Sequence, residues 1–252
     1  MKEKTMKKLS QAIVLASAMT AGLAATQAAH AEISASFDVA SSYLWRGQNL
    51  SAGKAGAIEK KTTTVEVDGA DQEVKYTDAT DGTGQGTAVV SGSIDYTNES
   101  GLYAGVWTSS GDGSAGTETD LYVGFAGEAG SIGYDIGYVT YLYTETANDE
   151  IDDLAEFYLG LSYDVVGVTM YKSSDSDVDG MYAVLGADIP DTPFSVALGA
   201  AIDTGNAYTH LDATYAYNDQ VAFTVSKIVD EEVEDAYDKS TRYVISYSMP
   251  IE

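Results

Sequence analysis

Residues 33–46 read ISASFDVASSYLWR, and their alternation decides the class of fold. Ile33, Ala35, Phe37, Val39, Tyr43 and Trp45 share one parity, interrupted at Ser41, while Ser34, Ser36, Asp38, Ser42 and Arg46 occupy the other. Side chains alternate across a strand, so the stretch predicts a single β-strand with one apolar and one polar face. Strands of soluble domains usually run about five or six residues, whereas a tilted strand that crosses a bilayer needs about nine to eleven. Ile33 to Arg46 is long enough to be a transmembrane barrel strand, ascending from the N-terminal side.

Upstream, Lys2, Lys4, Lys7 and Lys8 precede an apolar run from Leu9 to Ala25, and Ala29 and Ala31 place small residues before a cleavage point. Residues 1–31 therefore read as a cleaved secretory signal, and 32–252 as one barrel domain. Lys and Arg number 13 against 39 Asp and Glu, a formal net charge of −26 at pH 7. That acidity excludes a basic nucleic-acid-binding surface. The absence of cysteine excludes disulfides and thiolate metal sites. The 25 Gly, 19 Tyr and 3 Pro, with no apolar run after Ala31 long enough for a membrane helix, fit a barrel in which half of every strand is polar.

The same alternation recurs at Thr87 to Tyr96, Leu102 to Ser109, Asp120 to Ala126, Ile132 to Tyr143, Ala155 to Tyr163 and Val168 to Lys172. It continues at Met181 to Ile189, Phe194 to Asp203, Tyr208 to Tyr217, Val221 to Val229 and Thr241 to Met249. These make about twelve strands, an even number, whose connections alternate between tight turns and longer polar loops. The first loop, at about 47–86, is the longest and carries a small hairpin, Thr63 to Val67 against Glu73 to Tyr76. This layout predicts an all-β fold, a transmembrane up-and-down antiparallel β-barrel with short periplasmic turns and longer acidic extracellular loops. Aromatic residues on the apolar parity cluster at strand ends. Tyr96, Phe125, Tyr134, Tyr163, Phe194, Tyr217, Phe223 and Tyr247 would form a periplasmic girdle, and Tyr43, Trp45, Phe157 and Tyr243 the outer one.

Several blocks resemble the TorF-like porins of Gram-negative outer membranes. They are Tyr43-Leu44-Trp45-Arg46-Gly47 with Ser51 beyond, and Ser93-Ile94-Asp95-Tyr96 leading through Glu99-Ser100-Gly101-Leu102-Tyr103-Ala104-Gly105-Val106-Trp107. Glu118-Thr119-Asp120-Leu121-Tyr122, Gly133-Tyr134-Asp135-Ile136-Gly137 and Glu156-Phe157-Tyr158-Leu159-Gly160 extend the likeness. Two features depart from it: Thr62 to Gly86 reads as an insertion, and the chain ends Met249-Pro250-Ile251-Glu252 without the aromatic residue on which such barrels usually finish. The resemblance implies an outer-membrane barrel of porin type, exported through its signal and inserted by the barrel assembly machinery.

The polar parity faces the lumen of such a barrel and offers Asp38, Asp95, Asp135, Glu156, Asp188, Asp203 and Asp212 against Arg46 and Arg242. With water in the lumen these carboxylates favour cations; paired with the arginines and tyrosine hydroxyls, they fill it. Arg46 is expected at the pore mouth. His210, beside Asp212 and without a serine motif, reads as a satisfied lumen histidine rather than a catalytic base, so no enzyme and no cofactor are expected. Asp175, Asp177 and Asp179 match the first half of a calcium loop but lack its final Glu, leaving at most a loose divalent site. Lys227 is the one charge expected on the lipid-facing parity. The expected function is passive diffusion of small hydrophilic solutes, leaning to cations, with outer-membrane lipid and lipopolysaccharide as surroundings. The alternative is a non-conducting structural or adhesion barrel that displays acidic, divalent-cation-binding loops.

Overall fold

The computed structural model describes residues 31–52, 58–67, 70–79, 86–112, 116–143, 151 and 153–251, with the side chains of 52, 58–67, 70–79 and 112 left aside. The signal expected at 1–31 lies, but for its last residue, outside the described residues. The strands are β1 (Glu32–Ala40), β2 (Leu44–Trp45), β3 (Gln48–Asn49), β4 (Ile58–Val67), β5 (Ala70–Ala79), β6 (Val89–Thr97), β7 (Leu102–Asp112) and β8 (Gly116–Ala129). They continue as β9 (Ile132–Tyr143), β10 (Ala155–Tyr163), β11 (Val166–Ser173), β12 (Met181–Asp188), β13 (Phe194–Ile202), β14 (Tyr208–Ala216), β15 (Val221–Glu231) and β16 (Arg242–Ile251).

β1 and β6 to β16 close into an antiparallel barrel of twelve strands in which sequence neighbours pair throughout. β1 closes the ring, pairing with β16 from Ala35↔Ile251 to Ala40↔Ser246 and with β6 from Glu32↔Thr97 to Ala40↔Val89. A closed ring leaves no strand edge with unpaired amides, which is the condition for crossing hydrocarbon with strands. The barrel is a transmembrane up-and-down β-barrel, as the alternation and loop rhythm predict. The hairpin expected in the first loop is present as β4 and β5, paired from Ile58↔Ala79 to Val67↔Ala70.

The first strand is shorter than its alternation suggests. β1 stops at Ala40, and Ser41, the residue that broke parity, ends the ladder by donating its N–H to Ile245 O (2.9 Å) and accepting Ile245 N–H on Oγ (3.0 Å). Residues 41–52 therefore do not continue the wall.

Polarity is inverted relative to a soluble domain. Ile94, Ile136 and Ile245 are 58%, 55% and 53% exposed on the outer face, whereas the inward Asp120 and Ser226 are 1% and 0% exposed. Apolar surface outside and polar groups inside is the arrangement favoured when lipid, not water, surrounds the wall. Tyr96, Phe125, Phe194, Tyr217, Phe223 and Tyr247 are exposed toward the short-turn end, with Phe125 and Tyr134 stacked (centroids 6.0 Å) and Phe194 against Tyr215 (5.1 Å). Tyr163 is exposed at that end too, while Phe157, packed on Tyr138 at 5.0 Å, and Tyr243 are exposed near the long-loop end. Lys227 is not the one outward cation: Lys172 also lies on the outer face, its Nζ reaching past the strand end to Val178 O and Gly180 O at 2.7 Å each. That is how a lipid-facing lysine keeps its charge at the rim.

Inside, glycines make room for tyrosines. Tyr103 lies over its cross-strand partner Gly124, Tyr122 over Gly105 and Tyr158 over Gly137, so that a Cβ at any of the three glycines would overlap the phenol. A bare backbone opposite an aromatic lets the ring lie flat along the wall. Gly137→Val is expected to displace Tyr158 and destabilise the barrel by about 1–3 kcal/mol, measured by urea unfolding in lipid vesicles; Leu159→Val, on the outer face, serves as the mild control.

Candidate constriction in the lumen

β1 and β6 are paired along their length, so the connection between them, residues 41–88, leaves and returns at one rim. Its first part turns into the barrel. β2 and β3 pair as Leu44↔Asn49 and Trp45↔Gln48, with Arg46 and Gly47 at the turn in the left-handed region, φ 49° and 77°. A glycine takes that conformation freely; an arginine does so at a cost that the surroundings must offset. A short 3-10 turn, Leu50–Ala52, follows, and Ser42, Tyr43, Leu44 and Ser51 are buried. Tyr43 N–H donates to Ser51 Oγ at 2.9 Å and Leu50 N–H to Tyr43 O at 2.8 Å, which folds the segment back on itself.

Arg46 anchors the hairpin to the far wall. Its guanidinium binds the Glu156 carboxylate of β10 in bidentate fashion, Nη1 to Oε1 at 3.0 Å and Nη2 to Oε2 at 2.5 Å. Its Cζ stands 4.3 Å from the Trp45 ring centre, 4.8 Å from that of Tyr171 on β11 and 4.4 Å from that of Tyr182 on β12. The planar cation is thus matched both to a carboxylate fork and to ring faces. Tyr141 donates to Glu156 Oε2 at 2.6 Å, Tyr208 donates to Arg46 O at 3.0 Å, and Gln48 Nε2 donates to Tyr208 at 3.0 Å. Gly47 lies so close to His210 that a Cβ would enter the imidazole. His210 itself bridges Tyr182 OH, 2.7 Å from Nε2, and Asp212 Oδ1, 3.1 Å from Nδ1.

Toward the short turns the carboxylates take hydrogen bonds from neutral hydroxyls. Asp38 accepts from Ser36 (2.7 Å), Asp95 from Ser93 (2.7 Å) and Tyr122, and Asp135 from Tyr103 (2.6 Å), whose hydroxyl also meets that of Tyr158. Asp188 faces inward at the end of β12 with Oδ1 buried and without a hydrogen-bond partner.

Four sequence-based assignments change. Tyr43 and Trp45 are not in the outer girdle, because the chain has left the wall before them: Tyr43 is buried, donating to Glu118 Oε2 at 2.7 Å, and Trp45 stacks on Arg46. Arg46 stands at the tip of the tucked hairpin inside the barrel, not at the end of a first strand. Asp203 lies beyond β13 in a turn at φ 54°, exposed, and is not part of the lumen wall. Arg242 does face inward, buried at the start of β16, and donates to Asp238 of the preceding loop. Desolvation works against the Asp238 charge, but hydrogen bonds from Ser240 and the Arg242 cation outweigh it and hold this carboxyl below its usual range.

Asp175, Asp177 and Asp179 are exposed, and Asp175 Oδ1 is turned to the Asp177 N–H at 2.8 Å. Among the described residues no three His, Cys, Asp or Glu side chains converge as metal ligands. Further inward groups, which no motif marks as pore-lining, are Glu118, Asp120 and the tyrosines at 103, 122, 141, 158, 171, 182 and 208. Strand parity could have found several of them, since Tyr103, Tyr122 and Tyr158 each fall between outward apolar neighbours.

Removing the Arg46 head group leaves Glu156 desolvated and unpaired, a change that costs about 3–5 kcal/mol when a buried pair is broken. In a Trp107→Phe background, Trp45 is the remaining tryptophan. Arg46→Ala should then shift its emission to the red and speed acrylamide quenching as the hairpin leaves its seat, with Arg46→Lys intermediate because lysine lacks the fork.

Comparison with solved structures gives a KdgM porin with 9% identity and a TM-score of 0.43, covering 66% of this chain and 93% of that one. KdgM porin in complex with disordered oligogalacturonate gives 8% identity and a TM-score of 0.41, with the same coverage. OccAB4 of Acinetobacter baumannii gives 9% and 0.35 over 76% of this chain and 57% of that one. No curated protein matches the sequence. Residues 76–244, from within β5 into β16, match the family described as "Bacterial protein of unknown function (Gcw_chp)", and the chain belongs to that family.

Proposed function

We propose that this barrel is an outer-membrane porin of a Gram-negative bacterium, a passive channel for small hydrophilic solutes whose constriction is the hairpin carried by Arg46. The observation that carries the reading is a closed wall, apolar outside and polar inside, into which a polar loop folds back and is held by the far wall. A barrel built only as an anchor gains nothing from lining its interior with charges that must be desolvated and satisfied one by one. The blocks that resemble TorF-like porins are compatible with this reading, although the family matched is the one of unknown function and not that one, and a secretory signal at residues 1–31 would serve it.

A preference for cations follows from the balance of charge. Arg46 neutralises Glu156, and Arg242 is engaged by Asp238, while Asp38, Asp95 and Asp135 take hydrogen bonds from neutral hydroxyls rather than from a cation. The apolar band would face lipid, the short turns the periplasm, and the acidic loops lipopolysaccharide, with which they would share divalent cations. Insertion would fall to the barrel assembly machinery.

Single-channel recording across a salt gradient tests both levels. Open channels with a cation-favouring reversal potential are expected, and Asp38, Asp95 and Asp135 changed together to Asn should move that potential toward zero. Folded protein that gives no conductance would reject the channel and favour a closed barrel that displays its loops.

A further inference from the structure

The seat of Arg46 is built by the wall and filled by the loop. Tyr141, Glu156, Tyr171 and Tyr182 belong to β9, β10, β11 and β12, four successive strands of the ring. Each lies within two residues of the strand end that meets the connection at 144–154 or 174–180. Tyr171 and Tyr182 stand opposite each other across the ladder, and Glu156 pairs with Ser173 on the same face of β11 as Tyr171. Trp45 and Arg46 come from the hairpin. When the hairpin leaves, the carboxylate and the two wall rings stay, because the strand ladder positions them. The seat is not sealed either: the side chains of Arg46 and Glu156 keep 12% and 15% exposure, so it can be reached from the lumen.

What these wall groups match is a shape as well as a charge. Glu156 offers a two-oxygen fork at 3.0 and 2.5 Å, and the ring centres of Tyr171 and Tyr182 lie 4.8 and 4.4 Å from the guanidinium carbon. A flat, delocalised cation satisfies fork and faces together, whereas an ammonium is a compact and strongly hydrated point charge without the fork. Arg46 holds the seat with its backbone at φ 49°. Its advantage is the tether, which keeps its head group at high effective concentration; its handicap is the left-handed backbone, which departure relieves. A free guanidinium has neither. We propose that Glu156, Tyr171 and Tyr182 form a binding site for solutes that bear a guanidinium group, and that such a solute displaces Arg46 and releases the hairpin. Arg46 is then a built-in competitor, and the constriction yields to the solute class that it imitates. That the bound solute goes on to cross the barrel rests on the channel reading; that it binds and unseats the hairpin does not.

Methylguanidinium chloride tests this on the full barrel folded in detergent, with Trp107→Phe as the parent so that Trp45 reports the hairpin. Millimolar methylguanidinium should shift Trp45 emission to the red along a saturable curve, while methylammonium chloride at the same concentrations, which matches the ionic strength, should not. Arg46→Ala removes the competitor, so calorimetry should show methylguanidinium binding about tenfold tighter, or more, than in the parent. Glu156→Gln added to Arg46→Ala should abolish that binding, and Asp175→Asn, on an outer loop, should leave it. The shift of folded barrel on an unheated gel confirms that each variant has folded, and Arg46→Gln takes the place of Arg46→Ala where the latter does not. No saturable red shift in the parent, an equal response to methylammonium, binding no tighter without Arg46, or binding that survives Glu156→Gln would overturn the proposal and leave Arg46 as a structural pin. Guanidinium binding without conductance would reject the channel reading and leave this site standing; conductance without binding would do the reverse.

Discussion

Everything in this molecule depends on β1 being paired along both of its sides, with β6 on one and β16 on the other. In hydrocarbon an unpaired amide has no solvent to turn to, so a sheet must either close or stay out of the membrane. Closure then acts on the sequence as a sorting rule. Once the ring is complete, every odd or even side chain along a strand is assigned to lipid or to lumen. A period of two in hydropathy becomes an inside and an outside.

Closure also decides what the first loop can do. Because β1 and β6 are neighbours, residues 41–88 begin and end at one rim, and nothing requires them to span the wall. The hairpin turns inward because the lumen offers what water offers less specifically: a carboxylate fork, two wall tyrosines for a guanidinium, and a phenol for the Arg46 carbonyl. These contacts outweigh the left-handed backbone that Arg46 adopts. A single guanidinium thereby pins the hairpin inside the barrel, and its position divides the lumenal carboxylates. Some have a cation, some have neutral hydroxyls, and Asp120 has neither.

The glycine and tyrosine content serves the same end. Tyrosine is large, carries one polar atom at the tip of an apolar ring, and bonds at low entropic cost, so it can fill space and still satisfy a carboxylate. It can lie against the wall because glycine stands opposite it, as at Gly124 with Tyr103 and Gly137 with Tyr158. The wall and its lining are thus one pattern, with small residues on one strand cut to the rings of the next.

Strand parity, loop rhythm and aromatic placement were local properties, and they sufficed for the twelve strands, their boundaries at β9 and β10, and the direction in which Ile94 or Asp135 points. The break at Ser41 was visible too, though it marks the end of β1 and not an intrusion into it. What the sequence could not contain was the meeting of residues 110 positions apart, Arg46 with Glu156, or of Tyr43 with Glu118 across 75. Alternation says which way a side chain faces but not what stands opposite across a closed lumen. That distance is set by the curvature of the whole ring, and only the tertiary structure decides it.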